Sequence, residues 1–310
     1  MRKDFKVGLI VLLIFTLVVG MAGLLVGCGG TSEPGGEADG DGAATTPQRI
    51  ISFFPSNTEI LVALGLADNL VAVTIYDDYP ADIQTKVEYV FEDGLNPNVE
   101  KALSLEPDLI VFGAHSEELI AAFAKFDIKT VQYDPQSIDA VYETITDLGA
   151  VTNRSKEAST LVAQMKNKQS VLAKIVDKIP ANERKTVWME ISSDLWTVGT
   201  DTFMNELISN AGGINIVDQS GWVQYSEEKV LEQDPDIIFT TYGSYDPDAI
   251  KNVLNREGWS ALTAVKAKNV YDLDNNLVSR QGPRIVDAMW LLASKLYPEL
   301  FTSENNDQAA

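Results

Sequence analysis

The chain has 310 residues, 45% hydrophobic and 22% charged, the balance of an ordinary globular protein of about two domains. Lys and Arg number 24 against 45 Asp and Glu, a net charge of −21, and such a surface repels nucleic acid. One Cys and one His exclude an internal disulfide, a Cys-based zinc site and a His-cluster metal centre.

Residues 1–27 read as an address. Arg2, Lys3 and Lys6 precede an uncharged run from Val7 to Gly27, which is long enough to cross a bilayer. The run ends in Leu25-Val26-Gly27-Cys28, however, and a basic start, an apolar run and small residues at the end make a secretory signal. The ending resembles the lipobox of bacterial lipoproteins, which implies cleavage before Cys28 and lipidation of that residue. Residues 28–48, rich in Gly and acidic residues and without a large apolar side chain, are expected to form a flexible tether.

The folded body is expected from Arg49. Arg49–Phe54 reads as a strand closed by Pro55, and Ser56-Asn57-Thr58-Glu59 opens a helical pattern that ends at Gly65. Strands follow at Leu70–Thr74, Leu109–Phe112 and Thr130–Tyr133, with a helix over Glu117–Lys125. This alternation predicts parallel βαβ units, and the nearly continuous apolar strands predict a sheet covered on both faces. Asn153–Ile179 lacks Gly and Pro and predicts one helix of about 40 Å, stopped by Pro180. The alternation then resumes with strands at Val187–Ile191, Ile237–Thr240 and Val270–Leu273. Helices are expected over Thr202–Asn210 and Pro283–Leu296.

An internal repeat ties the halves together. Glu100-Lys101-Ala102-Leu103-Ser104-Leu105-Glu106-Pro107-Asp108-Leu109-Ile110 recurs without a gap as Glu228-Lys229-Val230-Leu231-Glu232-Gln233-Asp234-Pro235-Asp236-Ile237-Ile238. In each copy a helix is expected to start near the Glu, and Pro-Asp to turn the chain into a buried strand. The expectation is an α/β fold of two lobes, each with a central, mostly parallel sheet. The boundaries are 49–152 for the first lobe, 153–180 for a linking helix, 181–301 for the second lobe and 302–310 for a disordered tail.

Catalytic signatures are absent: there is no Gly-x-Ser-x-Gly elbow, phosphate loop or dinucleotide fingerprint. His115, at a strand end in Gly113-Ala114-His115-Ser116, reads as a cleft-lining or capping residue rather than a base. Asp77 and Asp78, in a Pro-terminated turn, read as helix caps or solvent-facing groups. The chain is therefore expected not to be an enzyme and to hold no metal. Aromatic residues crowd strand ends in both halves: Phe53, Phe54, Tyr76 and Tyr79 in one, Trp196, Trp222, Tyr242 and Tyr245 in the other. Together they predict a binding cleft between the lobes, with Phe54 and Tyr242 among its walls.

These residues resemble a known family. The opening Arg49-Ile50-Ile51-Ser52 with Pro55-Ser56-Asn57-Thr58-Glu59, the segment Tyr76-Asp77-Asp78-Tyr79-Pro80, Asn96-Pro97-Asn98-Val99-Glu100 and Ser279-Arg280-Gln281-Gly282-Pro283-Arg284 are its marks. They are similar to the substrate-binding proteins of bacterial ABC importers for vitamin B12, iron-siderophores and haem. The resemblance implies two Rossmann-like lobes on a helical backbone, with ligand between them. Cobalamin-binding members are the nearest, which implies ligand contacts from Tyr76, Trp196, Trp222 and Arg280. Two positions depart from that pattern: only Phe91 stands where a pocket Trp is expected, and Asn276 where an Asp is expected. By the same resemblance Glu100 and Glu228 dock the receptor on a permease dimer that works with ATPase subunits. Arg280, with Arg284, is the well-placed cation among the few Arg outside the signal, and one Arg amid many rings suits a large, roughly neutral ligand such as cobalamin. A ferric siderophore or haem is the alternative cargo, and an extracellular enzyme on the same scaffold a more distant one. The expected protein is a monomer without a cofactor of its own, tethered by Cys28 to the outer face of the cytoplasmic membrane.

Overall fold

The computed structural model describes residues 45–301. The signal segment, Cys28, the tether as far as residue 44 and the tail 302–310 lie outside the described residues. The last tether residues belong to the body. Pro47 is buried, its carbonyl accepts Asn69 Nδ2 at 2.9 Å, and the Gln48 amide donates to Asp108 at 2.7 Å.

The first lobe runs β1 (Ile50–Ser52), α1 (Pro55–Ala63), β2 (Leu70–Thr74), α2 (Ile83–Lys86), β3 (Tyr89–Phe91), α3 (Val99–Leu103), β4 (Leu109–Phe112), α4 (Glu117–Phe123) and β5 (Lys129–Gln132). Its sheet has the order β3-β2-β1-β4-β5 with every pair parallel. Strands β1, β2 and β4 are buried at every residue, as continuous apolar runs require. The order reverses between β1 and β4, so their carboxyl ends open a crevice where ligands bind in doubly wound sheets.

Two helices follow: α5 (Ile138–Val151), which lies before any helix expected here, and α6 (Ser155–Val176), the single helix expected over Asn153–Ile179. Asn153 takes a left-handed φ of 58°, which breaks the chain between them. Gly149 on α5 lies so close to Ala158 on α6 that any side chain there would collide with it. With its 22 residues α6 is about 33 Å long. It stops short of Pro180 because the residues just before a proline disfavour helical geometry. Its buried residues Ala158, Met165, Leu172 and Val176 form one stripe facing the core.

The second lobe runs β6 (Thr186–Glu190), β7 (Trp196–Val198), α7 (Phe203–Asn210), β8 (Ile214–Asn215), β9 (Trp222–Gln224), α8 (Glu227–Gln233), β10 (Ile237–Thr240), α9 (Ala249–Asn255), α10 (Thr263–Ala267), β11 (Val270–Asp272), α11 (Asn275–Val278) and α12 (Ile285–Leu296). Its sheet has the order β11-β10-β6-β7-β9, with β8 also on β6. Strands β6, β8, β10 and β11 are parallel, whereas β7 and β9 run antiparallel as an edge ribbon. Trp196 and Trp222, expected at strand ends, are the first residues of the short strands β7 and β9. Each buried Ile or Leu of these sheets stabilises the fold by roughly 2 kcal/mol.

The repeat has a physical content. Glu106 and Asp234, at matching places, both take left-handed backbone, with φ of 48° and 42°. Lys101 lays its ammonium 4.5 Å from the centre of the Tyr89 ring, and Lys229 lays its own 5.2 Å from that of Tyr225.

Candidate ligand-binding cleft

A cleft of about 300 Å³ opens where the two lobes meet. The first lobe supplies Phe53, Phe54 and Ser56 after β1, Tyr76 after β2, and Gly94 with Leu95. The second lobe supplies Tyr245 after β10 and Asn276, Ser279, Arg280 and Gln281 after β11. The walls are thus carboxyl ends of parallel strands, as the topology demands.

Phe54 stands over Gly113, where any side chain would run into its ring. Tyr76 and Tyr245 are the most open of the rings, 61% and 77% exposed. Tyr242 is only 5% exposed and turns into the second lobe. Its hydroxyl donates to Glu190 at 2.6 Å, and burial, reinforced by that carboxylate, drives its pKa upward. Glu190 in turn holds Arg256 through two bonds at 2.7 and 2.8 Å and accepts Trp188 Nε1 at 3.1 Å. The expected wall residue Tyr242 is therefore a buried strut, and Tyr245 lines the cleft.

Trp196 and Trp222 lie outside the cleft lining. Trp222 pairs with Val198, two residues from Trp196 along β7, so both tryptophans share one face of the ribbon. They are 40% and 42% exposed, and the Trp222 ring packs 6.1 Å from Phe203. Phe91 is buried in the first-lobe core, edge-on to Phe53 at 5.1 Å, and leaves its side of the cleft to Leu95.

His115 is a staple. Its Nδ1 accepts the Gly113 amide at 3.0 Å, and its Nε2 donates to the Gly94 carbonyl at 2.7 Å. It thereby fixes the loop that carries Gly94 and Leu95. Asp77 is buried, accepting the amide and hydroxyl of Thr74 at 2.7 and 2.6 Å, and burial raises its pKa.

The polar side of the cleft is an ion-pair network that crosses between the lobes. Arg280 donates to Glu59 on α1 at 3.0 Å, to Asp78 at 2.6 Å and to the Tyr76 carbonyl at 2.8 Å. Arg284 makes two bonds to the same Glu59 at 2.8 and 2.6 Å and stacks on the Tyr79 ring at 4.0 Å. Its guanidinium pKa is raised, chiefly by that hydrogen-bonded carboxylate. Asn276 Nδ2 donates to Asp78 at 2.5 Å. Two guanidinium groups thus meet two carboxylates. Sequence reasoning named Arg280 and Arg284 and read Asp78 as a cap or solvent-facing group, while Glu59 and Gln281 stood only within motifs and were given no part in the site.

Glu100 and Glu228 are the second residues of α3 and α8, both exposed, where a carboxylate is favoured by the helix dipole. Among the described residues neither forms an ion pair. Among them also, no cluster of three His, Cys, Asp or Glu residues could hold a metal, and no helix is long and apolar enough to cross a membrane.

Residues 50–277 match the family model described as periplasmic binding protein. The chain belongs to that family. An uncharacterized ABC transporter substrate-binding lipoprotein of Bacillus subtilis (strain 168), YvrC, is 40% identical over 266 residues, 82% of either chain. The crystal structure of a possible iron-binding (periplasmic solute-binding) protein from Staphylococcus epidermidis is 34% identical with a TM-score of 0.72, covering 82% of this chain and all of that one. That of the periplasmic vitamin B12-binding protein BtuF of Vibrio cholerae is 25% identical with a TM-score of 0.69, covering 82% and 98%. The family member described here is a substrate-binding protein of the ABC-transporter kind, in a family of binding proteins rather than enzymes.

Proposed function

We propose that this substrate-binding protein captures cobalamin or a related corrinoid and delivers it to an ABC permease. The observation that carries the reading is the charge of the cleft. Arg280 is the sole cation among the lining residues, and its charge is already met by Glu59 and Asp78. A neutral, amphipathic ligand fits such walls, with Phe54, Tyr76, Leu95 and Tyr245 offering apolar surface and Asn276, Ser279 and Gln281 offering hydrogen bonds. A likeness to a vitamin B12-binding protein supports the same choice. The exposed rings of Trp196 and Trp222 extend the apolar surface on the second lobe. Haem as cargo would need an axial ligand other than the single His, both of whose nitrogens are engaged by backbone.

In this reading Cys28 carries the lipid that holds the receptor at the outer face of the cytoplasmic membrane, as the lipoprotein relative supports. Glu100 and Glu228, one per lobe and both uncompensated, engage basic sockets on the two permease subunits. The test is titration of the full chain in detergent with cyanocobalamin, following tryptophan fluorescence. Of the five tryptophans, Trp188, Trp259 and Trp290 are buried, and Trp196 and Trp222 are the exposed pair that the Ala variants remove. Saturable quenching that is lost in Trp196→Ala or Trp222→Ala supports the corrinoid. No binding, with quenching by a ferric siderophore instead, replaces it with the iron cargo that the staphylococcal relative suggests.

A further inference from the structure

We infer that Asp78 is a specificity-determining residue: it sets the charge of the cleft to zero and so excludes anionic ligands. The inference rests on the proposed receptor function and adds the charge class of the cargo. Asp78 is not itself part of the lining, but it bonds directly to two residues that are, Arg280 at 2.6 Å and Asn276 at 2.5 Å.

The charge balance at this spot is tight. Glu59 is almost wholly buried and shared, because one of its oxygens accepts from both Arg280 and Arg284. It can neutralise one guanidinium, and the bidentate geometry gives that role to Arg284. Arg280 therefore depends on Asp78 for its counter-charge. The side chain of Asp78 is half exposed, at 52%, while that of Arg280 is 10% exposed. The carboxylate stands on the solvent side of the guanidinium, where an anionic ligand would otherwise approach it. Without Asp78 the wall of the cleft carries a partly desolvated positive charge, and attraction at short range in such a place is far stronger than in water.

Asn276 completes the device. Its amide donates to Asp78 and pins the carboxylate against Arg280. A carboxylate at position 276 would face Asp78 at that distance and repel it. The two side chains thus allow a graded test. Asp78→Asn keeps the shape and adds one positive charge to the cleft, whereas Asn276→Asp adds one negative charge.

The experiment titrates the full chain in detergent with two probes in parallel, neutral cyanocobalamin and strongly anionic ferric enterobactin, following tryptophan quenching. Thermal unfolding checks that each variant is folded. The expected result is a graded series for ferric enterobactin, with Asp78→Asn binding at least tenfold tighter than wild type and Asn276→Asp no tighter than wild type. The gain in Asp78→Asn is expected to shrink steeply as NaCl is raised. Equal affinity of Asp78→Asn and wild type for the anionic complex overturns the inference, whatever cyanocobalamin does. A gain in Asp78→Asn without cyanocobalamin binding by wild type upholds the inference and sinks the corrinoid reading instead.

Discussion

Asp108 and Asp236 fasten the start of the central strand in their respective lobes. Asp108 accepts the amides of Gln48 and Arg49 at 2.7 and 3.0 Å, just ahead of β1. Asp236 accepts the amide and hydroxyl of Thr186 at 2.9 and 3.0 Å, at the start of β6. The Pro-Asp element of the repeat is thus a clamp between neighbouring parallel strands, which gives its recurrence a structural reason. Asp236→Ala should lower the free energy of unfolding by about 2 kcal/mol, from two bonds to a charged acceptor. Asp108→Ala, at a more exposed site, should cost about 1 kcal/mol. Urea unfolding measures both, and two unchanged midpoints would remove the clamp from the account.

Glu59→Gln leaves two largely buried guanidinium groups with only Asp78 between them. Breaking a buried pair on one side costs about 3 kcal/mol or more. The expected result is a large drop in unfolding midpoint, and a variant as stable as wild type would show that the interlobe bonds carry little energy.

The Asp77 carboxyl gives a pH signature. Burial raises its pKa in the folded protein, so folding favours the protonated form. The cost of burying the charge is absent at pH values below the unfolded pKa and grows as pH rises through the folded one. Asp77→Asn should therefore be more stable than wild type at pH 7, with the advantage fading as pH falls through the carboxyl range. A difference that does not change between pH 7 and pH 3 would refute the assignment to charge.

Tyr245→Ala removes an exposed ring that packs on little of its own chain. Ligand affinity should fall about tenfold, the loss of one contact worth somewhat over 1 kcal/mol, with thermal stability held within a degree or two. Calorimetric titration of the bound ligand decides this, and an unchanged affinity would move the ligand away from the Tyr245 side of the cleft.

Replacing Glu100 and Glu228 together by Ala should reduce receptor-dependent uptake at least tenfold, more than it changes ligand affinity. Uptake of labelled ligand by cells that rely on this receptor is the readout. Wild-type uptake by the double variant would assign docking to other residues.

How far the sequence could be read follows from where the information sits. Strands Leu70–Thr74, Leu109–Phe112 and Ile237–Thr240 were legible to the residue because each is a buried apolar run. Strands β7 and β9 were not, since three residues with a half-exposed tryptophan carry neither length nor alternation. The helix that starts just after Asn153 was legible as a long stretch without Gly or Pro, whereas α5 (Ile138–Val151) before it was not placed. In the cleft, Tyr242 and Tyr245 follow the same strand and read alike. Which one turned inward was decided by Glu190, far away along the chain, and no local signal records that. The aromatic walls and Arg280 were legible as residue types at strand ends, whereas the counter-charges of Arg280 were set by contacts across the lobes.

The strand pairings have a consequence for how the molecule assembles. Every pairing of the first sheet joins residues between Ile50 and Gln132, and every pairing of the second joins residues between Thr186 and Asp272. No ladder is shared between the sheets, so each lobe can form its hydrogen bonds from a chain segment of its own. The bonds from Glu59 to Arg280 and Arg284 span most of the body and close the longest loop. In the order of synthesis, the first lobe is complete before the residues that latch it to the second have been made, and the cleft is the last part of the protein to come into being.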